Sequence, residues 1–121
     1  MRRLLLRSIV GLALLLALAV VWLFLRPPDP VTIKLVNASH KPIERVLIRH
    51  LSGTEVVGSI PVGESKVVTF QTRGETEYSL RVRFADGTQA LGEGSYAEAG
   101  YTFTETISDS SVQNELRGMR Y

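Results

Sequence analysis

The 121-residue chain has no cysteine. This excludes disulfide staples, lipid attachment through an N-terminal cysteine and thiolate metal sites. Its one tryptophan, Trp22, sits in the apolar leader, so the part beyond residue 30 offers no indole for stacking on a sugar. Histidine occurs twice, as His40 and His50, without a third ligand at zinc-like spacing. No G-x-S-x-G is present, the glycines lack the spacing of a phosphate-binding loop, and the carboxylates are scattered singly. The expectation is a protein that is not an enzyme, with no catalytic residue, no cofactor and no metal.

A basic domain is also lacking, although the sequence pI is about 9.2. Arg2, Arg3, Arg7 and Arg26 lie in or beside the leader, with Asp29 as the one acid there. Residues 31 to 121 hold ten Lys/Arg against eleven Asp/Glu, a net charge of −1. Without a basic domain the electrostatic case for nucleic acid as a partner fails.

What is present begins with Ser8 to Leu25, an uncharged run of 18 residues that is apolar apart from Ser8 and Gly11. As a helix it spans about 27 Å, close to the hydrocarbon thickness of a bilayer. Ala17-Leu18-Ala19 matches a signal-peptidase pattern, but cutting there leaves Val20 to Leu25, six apolar residues, at the new N-terminus. The retained reading is a signal-anchor at 8–25 that crosses the lipid bilayer, with Arg7, Trp22 and Arg26 at the membrane interfaces. Three arginines before the run against one after it place residues 1–7 in the cytoplasm and the rest in the periplasm or outside the cell. Arg26-Pro27-Pro28-Asp29-Pro30 stops the helix and forms a stiff spacer at 26–30.

Beyond Pro30 the apolar period becomes two. In "YSLRVRF", Tyr78, Leu80, Val82 and Phe84 alternate with Ser79, Arg81 and Arg83. In "YTFTETI", Tyr101, Phe103 and Ile107 alternate with threonines, and "VTIKLVN" puts Val31, Ile33 and Leu35 on one face. Further strands are predicted near 43–51, 54–60, 66–71 and 88–94, separated by Ser52-Gly53, Pro61-Val62-Gly63-Glu64, Arg73-Gly74 and Asp86-Gly87. About seven antiparallel strands at this spacing predict an all-β sandwich over 31–108, immunoglobulin-like in architecture but without the Cys…Trp…Cys signature of an antibody domain. A small open barrel is the structural alternative. The expected core is Ile33, Leu35, Leu80, Val82, Leu91, Phe84, Tyr101, Phe103 and Ile107.

Two turn readings set expected registers. A two-residue Ser52-Gly53 loop pairs His50 with Glu55, an exposed pair beside the turn, the alternative being a mildly pH-sensitive charge-assisted hydrogen bond. A two-residue Asp86-Gly87 loop pairs Phe84 with Gln89, Arg83 with Ala90, Val82 with Leu91, Arg81 with Gly92 and Ser79 with Gly94. Arg81 and Arg83 would then lie among small residues on a flat outer face, a candidate interaction surface for carboxylate or aromatic groups. The 109–121 segment reads as a polar tail, or a short helix in which Ser110 and Gln113 form a capping box and Val112, Leu116 and Met119 share a stripe. These three are further candidate interaction residues, and the tail is expected to be dispensable for folding. "NAS" at 37–39 matches an N-glycosylation acceptor.

The function expected is a single-pass, membrane-anchored module that mediates protein–protein interaction in the cell envelope, with an envelope protein as partner. The alternatives are an inhibitory, immunity or envelope-stress accessory, and a glycan- or lipid-binding domain.

Overall fold

A computed structural model describes residues 1–120. Helix α1 (Arg2–Leu25) is followed by eight strands: β1 (Val31–Asn37), β2 (Ile43–His50), β3 (Gly53–Val57), β4 (Ser65–Phe70), β5 (Glu75–Phe84), β6 (Gln89–Glu98), β7 (Tyr101–Ile107) and β8 (Val112–Met119). None of the residues of α1 is buried, and it is the one helix among the described residues long and apolar enough to cross a membrane. It ends where Arg26 turns extended, ahead of the prolines.

The strands form two four-stranded sheets, β4-β1-β7-β8 and β3-β2-β5-β6. Two packed sheets are as expected, but with eight strands in place of about seven and with one parallel pair, β1–β7, in place of an antiparallel arrangement throughout. The strand order is not the immunoglobulin one, in which the first two strands share a sheet. Here β1 lies between β4 and β7, antiparallel to the first and parallel to the second, while β2 belongs to the other sheet. Asn37 secures that crossing. Its buried amide donates to the carbonyls of Lys41 and Ile60, both at 2.9 Å, and its Oδ1 accepts from Ser39 N (3.1 Å) and Oγ (2.6 Å). A buried amide with both N–H groups engaged cannot accept a glycan in the folded protein, so the "NAS" match is structural.

The core lies between the sheets. Val31, Ile33 and Leu35 of β1 and Phe103 and Ile107 of β7 face Val46, Ile48, Leu80, Val82 and Phe84 of β2 and β5. Full burial of each such side chain is worth about 1.5–3 kcal/mol. Tyr101 is half-buried and packs against this core. Leu91 is not in it: it is 67% exposed, and Ala90 takes the inner position.

The cause is the β5–β6 turn. Phe84 N–H donates to Thr88 O (2.9 Å) and Gly87 N–H to Phe84 O (3.0 Å), closing a loop of three residues, Ala85-Asp86-Gly87, with Gly87 left-handed at φ +86°. The additional loop residue shifts the pairing by one: Arg83 faces Gln89, Val82 faces Ala90, Arg81 faces Leu91 and Leu80 faces Gly92. A one-residue shift exchanges the faces of the whole partner strand. Farther along, Glu93 and Gly94 bulge opposite Ser79, and Gly94 has φ +67° with a Cβ position only 1.9 Å from Tyr78 O, so no other residue fits there.

The 109–121 segment is also corrected. Val112–Met119 is a strand that pairs antiparallel with β7, neither tail nor helix. Val112 packs on the core, and Asn114 and Leu116 follow it on the inner side, opposite Glu105 and Phe103. A bulge at Arg117 restores Met119 to a position opposite Tyr101. Removing residues 109–121 therefore exposes the backbone edge of β7 and takes a hydrogen bond from buried Glu105. Thermal unfolding of the truncated protein, followed by near-UV circular dichroism, should show a loss of at least about 3 kcal/mol and a Tm lower by more than about 10 °C; an unchanged Tm would show β8 to be dispensable.

Candidate interaction surface

Two sheets leave two outer faces, and they differ in chemistry. On β4-β1-β7-β8 the outer positions carry Thr32, Thr69, Thr102, Thr104 and Thr106 with Lys34, Val67 and Glu115. On β3-β2-β5-β6 a transverse row runs Val56–Leu47–Arg81–Leu91, each residue directly opposite the next. Val56 and Leu91 are 66% and 67% exposed, and Leu47 is half-buried. The neighbouring positions on this face hold Arg45, Arg49 and Arg83, all exposed.

The local sequence explains the arginines. In "IERVLIRH", Arg45, Leu47 and Arg49 take the outer positions while Val46 and Ile48 are buried. A bulge between Ile43 and Arg45 brings Glu44 to the same edge, where its Oε2 lies 3.5 Å from Arg83 Nε. Both side chains are about half exposed, so this contact contributes little. Arg45, Arg49 and Arg81 make no side-chain hydrogen bond or ion pair among the described residues. They surround exposed aliphatic side chains and can still accept carboxylates.

Arg81 and Arg83 thus lie on an outer face as expected, but their neighbours are different. Ala90 and Gly92 are buried, and the arginines stand beside Leu47, Val56 and Leu91 instead of small residues. Val112, Leu116 and Met119 are in the other sheet and do not join this surface. Leu47, Val56, Arg45 and Arg49 were missed. The alternation in "IERVLIRH" was the available signal for three of them.

The titratable clusters are separate. At one end of the sandwich Asp109 accepts from His40 N–H at 2.8 Å and lies 3.0 Å from its Nδ1. The backbone hydrogen bond from His40, with the imidazole contact second, holds the Asp109 carboxyl below its ordinary value. His50 is at the other end. Its pairing with Glu55 is corrected: the turn is Leu51-Ser52, His50 faces Gly53, and Ile48 faces Glu55. The His50 side chain is only 4% exposed, its ring stacks on Phe70 at 4.1 Å, and its Nε2 lies 3.3 Å from Glu55 Oε1 across the diagonal. No group of three or more His, Asp or Glu among the described residues is arranged to hold a metal ion. At the β5–β6 turn, the hydroxyl and backbone N–H of Thr88 donate to Asp86, which lowers its carboxyl to about 2, and Lys41 Nζ lies 3.2 Å away.

Inside the sandwich one polar group was also missed. Glu105 is fully buried, and its Oε1 accepts from Tyr78 Oη at 2.6 Å and Asn114 Nδ2 at 2.5 Å, while its Oε2 has no partner. The period of "YTFTETI" puts Glu105 on the same side as Phe103 and Ile107. Because Tyr78 belongs to β5 and the other two to β7 and β8, these bonds tie the sheets together.

No protein-family model matches the chain, and no curated protein matches it. Among solved structures, it is similar to a protein from Eubacterium rectale determined by NMR, with a TM-score of 0.57 and 15% identity over 73% of this chain and 88% of that one. At that identity the likeness concerns the fold alone.

Burial and the Glu105 carboxyl raise the Tyr78 hydroxyl well above its ordinary value, burial being the larger cause. A raised value in the folded state means that the neutral phenol's contribution is complete below about pH 10 and is lost as the pH rises further. Urea midpoints measured upward from neutral pH should fall above about pH 10. Tyr78→Phe should cost about 1–3 kcal/mol at neutral pH and make the alkaline fall shallower; an identical fall in both proteins would assign it to other groups.

Proposed function

We propose that this protein is a single-pass membrane protein whose β-sandwich binds another envelope protein through the outer face of β3-β2-β5-β6. The observation that carries the proposal is the row Val56–Leu47–Arg81–Leu91, in which exposed Val56 and Leu91 and half-buried Leu47 flank Arg81, set among Arg45, Arg49 and Arg83. Exposed aliphatic groups beside the guanidinium groups of Arg45, Arg49 and Arg81, which make no ion pair among the described residues, suit a partner with an apolar patch fringed by carboxylates. The apolar contacts supply affinity, and the charges steer the encounter and select the partner. The threonine face of the other sheet has no comparable combination.

The role is binding without catalysis. Residues 1–7 lie in the cytoplasm, α1 remains in the membrane as a signal-anchor, and the sandwich stands on the periplasmic or extracellular side. The excess of Arg2, Arg3 and Arg7 over Arg26 supports that orientation. The length and hydropathy of α1 suit a membrane span, and the six apolar residues Val20 to Leu25 that a cut after Ala19 would leave at the N-terminus support retention of the helix.

A photo-crosslinking residue at Leu91 should yield a discrete adduct in intact membranes, and one at Thr104 on the opposite sheet should not. Arg81→Glu combined with Arg83→Glu should lower the yield at Leu91 by about thirtyfold or more, the effect of losing one hot spot of about 2 kcal/mol. Exposed sites should change stability by no more than about 0.5 kcal/mol each. Equal adducts from both faces, or an unaffected adduct in the folded double variant, would remove this surface from consideration.

A further inference from the structure

Where the anchor meets the sandwich there is a groove of about 930 Å³. One wall is the end of α1 and the spacer, with Phe24, Leu25 and Arg26. The other is the tip of the β2–β3 hairpin and the loop after β4, with Leu51 and Arg73. Leu51 is 79% exposed, an aliphatic side chain at a hairpin tip, where polar residues are the rule. Neither Arg26 nor Arg73 makes a side-chain hydrogen bond or ion pair among the described residues, and Glu75 is the one carboxylate in the lining.

The spacer fixes the height of this groove. Five residues, 26–30, separate α1 from β1, a reach of at most about 18 Å. The far end of the spacer is tied down, since Gly100 N–H donates to Asp29 O at 3.1 Å. The near end of the sandwich is thereby held at the level where a membrane-spanning α1 leaves the hydrocarbon, one turn beyond Trp22. Phe24, Leu25 and Leu51 then face the acyl-chain boundary. Arg26 and Arg73 face the headgroup layer from opposite sides of the groove, where each such cation favours anionic lipid.

We infer that this groove binds one anionic phospholipid, its phosphate between Arg26 and Arg73 and the upper part of an acyl chain along Phe24, Leu25 and Leu51. The inference rests on the anchored reading of α1 and is independent of the protein-binding face. Lipid is the occupant because the groove is continuous with the bilayer-spanning surface of the helix. It also combines apolar walls with two cations, which is the chemistry of an anionic lipid at its headgroup.

The test uses the full-length protein in nanodiscs of phosphatidylcholine mixed with phosphatidylglycerol, with retained lipids identified by native mass spectrometry. Phosphatidylglycerol should be enriched on the protein. Arg26→Gln and Arg73→Gln should each reduce the enrichment roughly fivefold and the double variant roughly thirtyfold, while Arg73→Lys should keep most of it. Inorganic phosphate should not displace the lipid. Equal retention of both lipids, enrichment that survives the double variant, or displacement by phosphate would overturn the inference. The same spectra give the chain's own mass: a start at Val20 would overturn the anchor and the groove together, whereas an intact chain without lipid selectivity would overturn the groove alone.

Discussion

The outer surface of this protein depends on one backbone constraint, the left-handed conformation of Gly87. It allows a three-residue loop between β5 and β6, and the loop length decides which residue of β6 stands opposite each residue of β5. With Val82 opposite Ala90, a small side chain fills the core position and Leu91 is sent outward beside Arg81. With a two-residue loop the same two strands would bury Leu91 and leave a different outer face. Lys41 reinforces the turn: its Nζ donates to Thr88 at 2.9 Å, pairs with Asp86 and sits 5.0 Å from the centre of the Phe84 ring.

The two sheets are joined by apolar packing and by the Glu105–Tyr78–Asn114 hydrogen bonds. A fully buried carboxyl is costly unless its oxygens are satisfied. Here one oxygen takes two donors and the other has none. The arrangement requires β8, because Asn114 is on that strand. It also requires the Gly94 bulge, which brings the β5–β6 ladder past Tyr78 without obstructing it. This explains why a segment as polar as β8 is ordered: it covers the edge of β7 and supplies a donor to a group that cannot reach water.

The proposed binding surfaces divide the labour. In that proposal the anchor, the short proline spacer and the groove at their junction would hold the sandwich near the lipid. The arginine and aliphatic face of β3-β2-β5-β6 would remain open to the proposed protein partner. The threonine-lined sheet and the two histidines, one exposed beside Asp109 and one stacked on Phe70, are consistent with structural roles.

The sequence by itself determined the elements whose pattern is local. The apolar run of α1 and the alternation of "YSLRVRF" state their own length and period, and most of the expected core residues are buried because a strand's two faces follow from its pleat. It did not determine strand pairing. Register turns on loop length, Gly87 being left-handed in a two-residue or a three-residue loop alike, and whether Asp86-Gly87 is the whole loop or part of a longer one has no separate signature in composition. Nor could "VQNELRGM" announce a strand, since its order comes from the open edge of β7 and the needs of Glu105. The directly opposed, exposed His50–Glu55 pair gave way to a diagonal contact with a buried imidazole for the same reason. Which strands become neighbours, and which side chains are thereby covered, are decided by contacts between residues far apart in the chain, and only the tertiary structure brings those residues together.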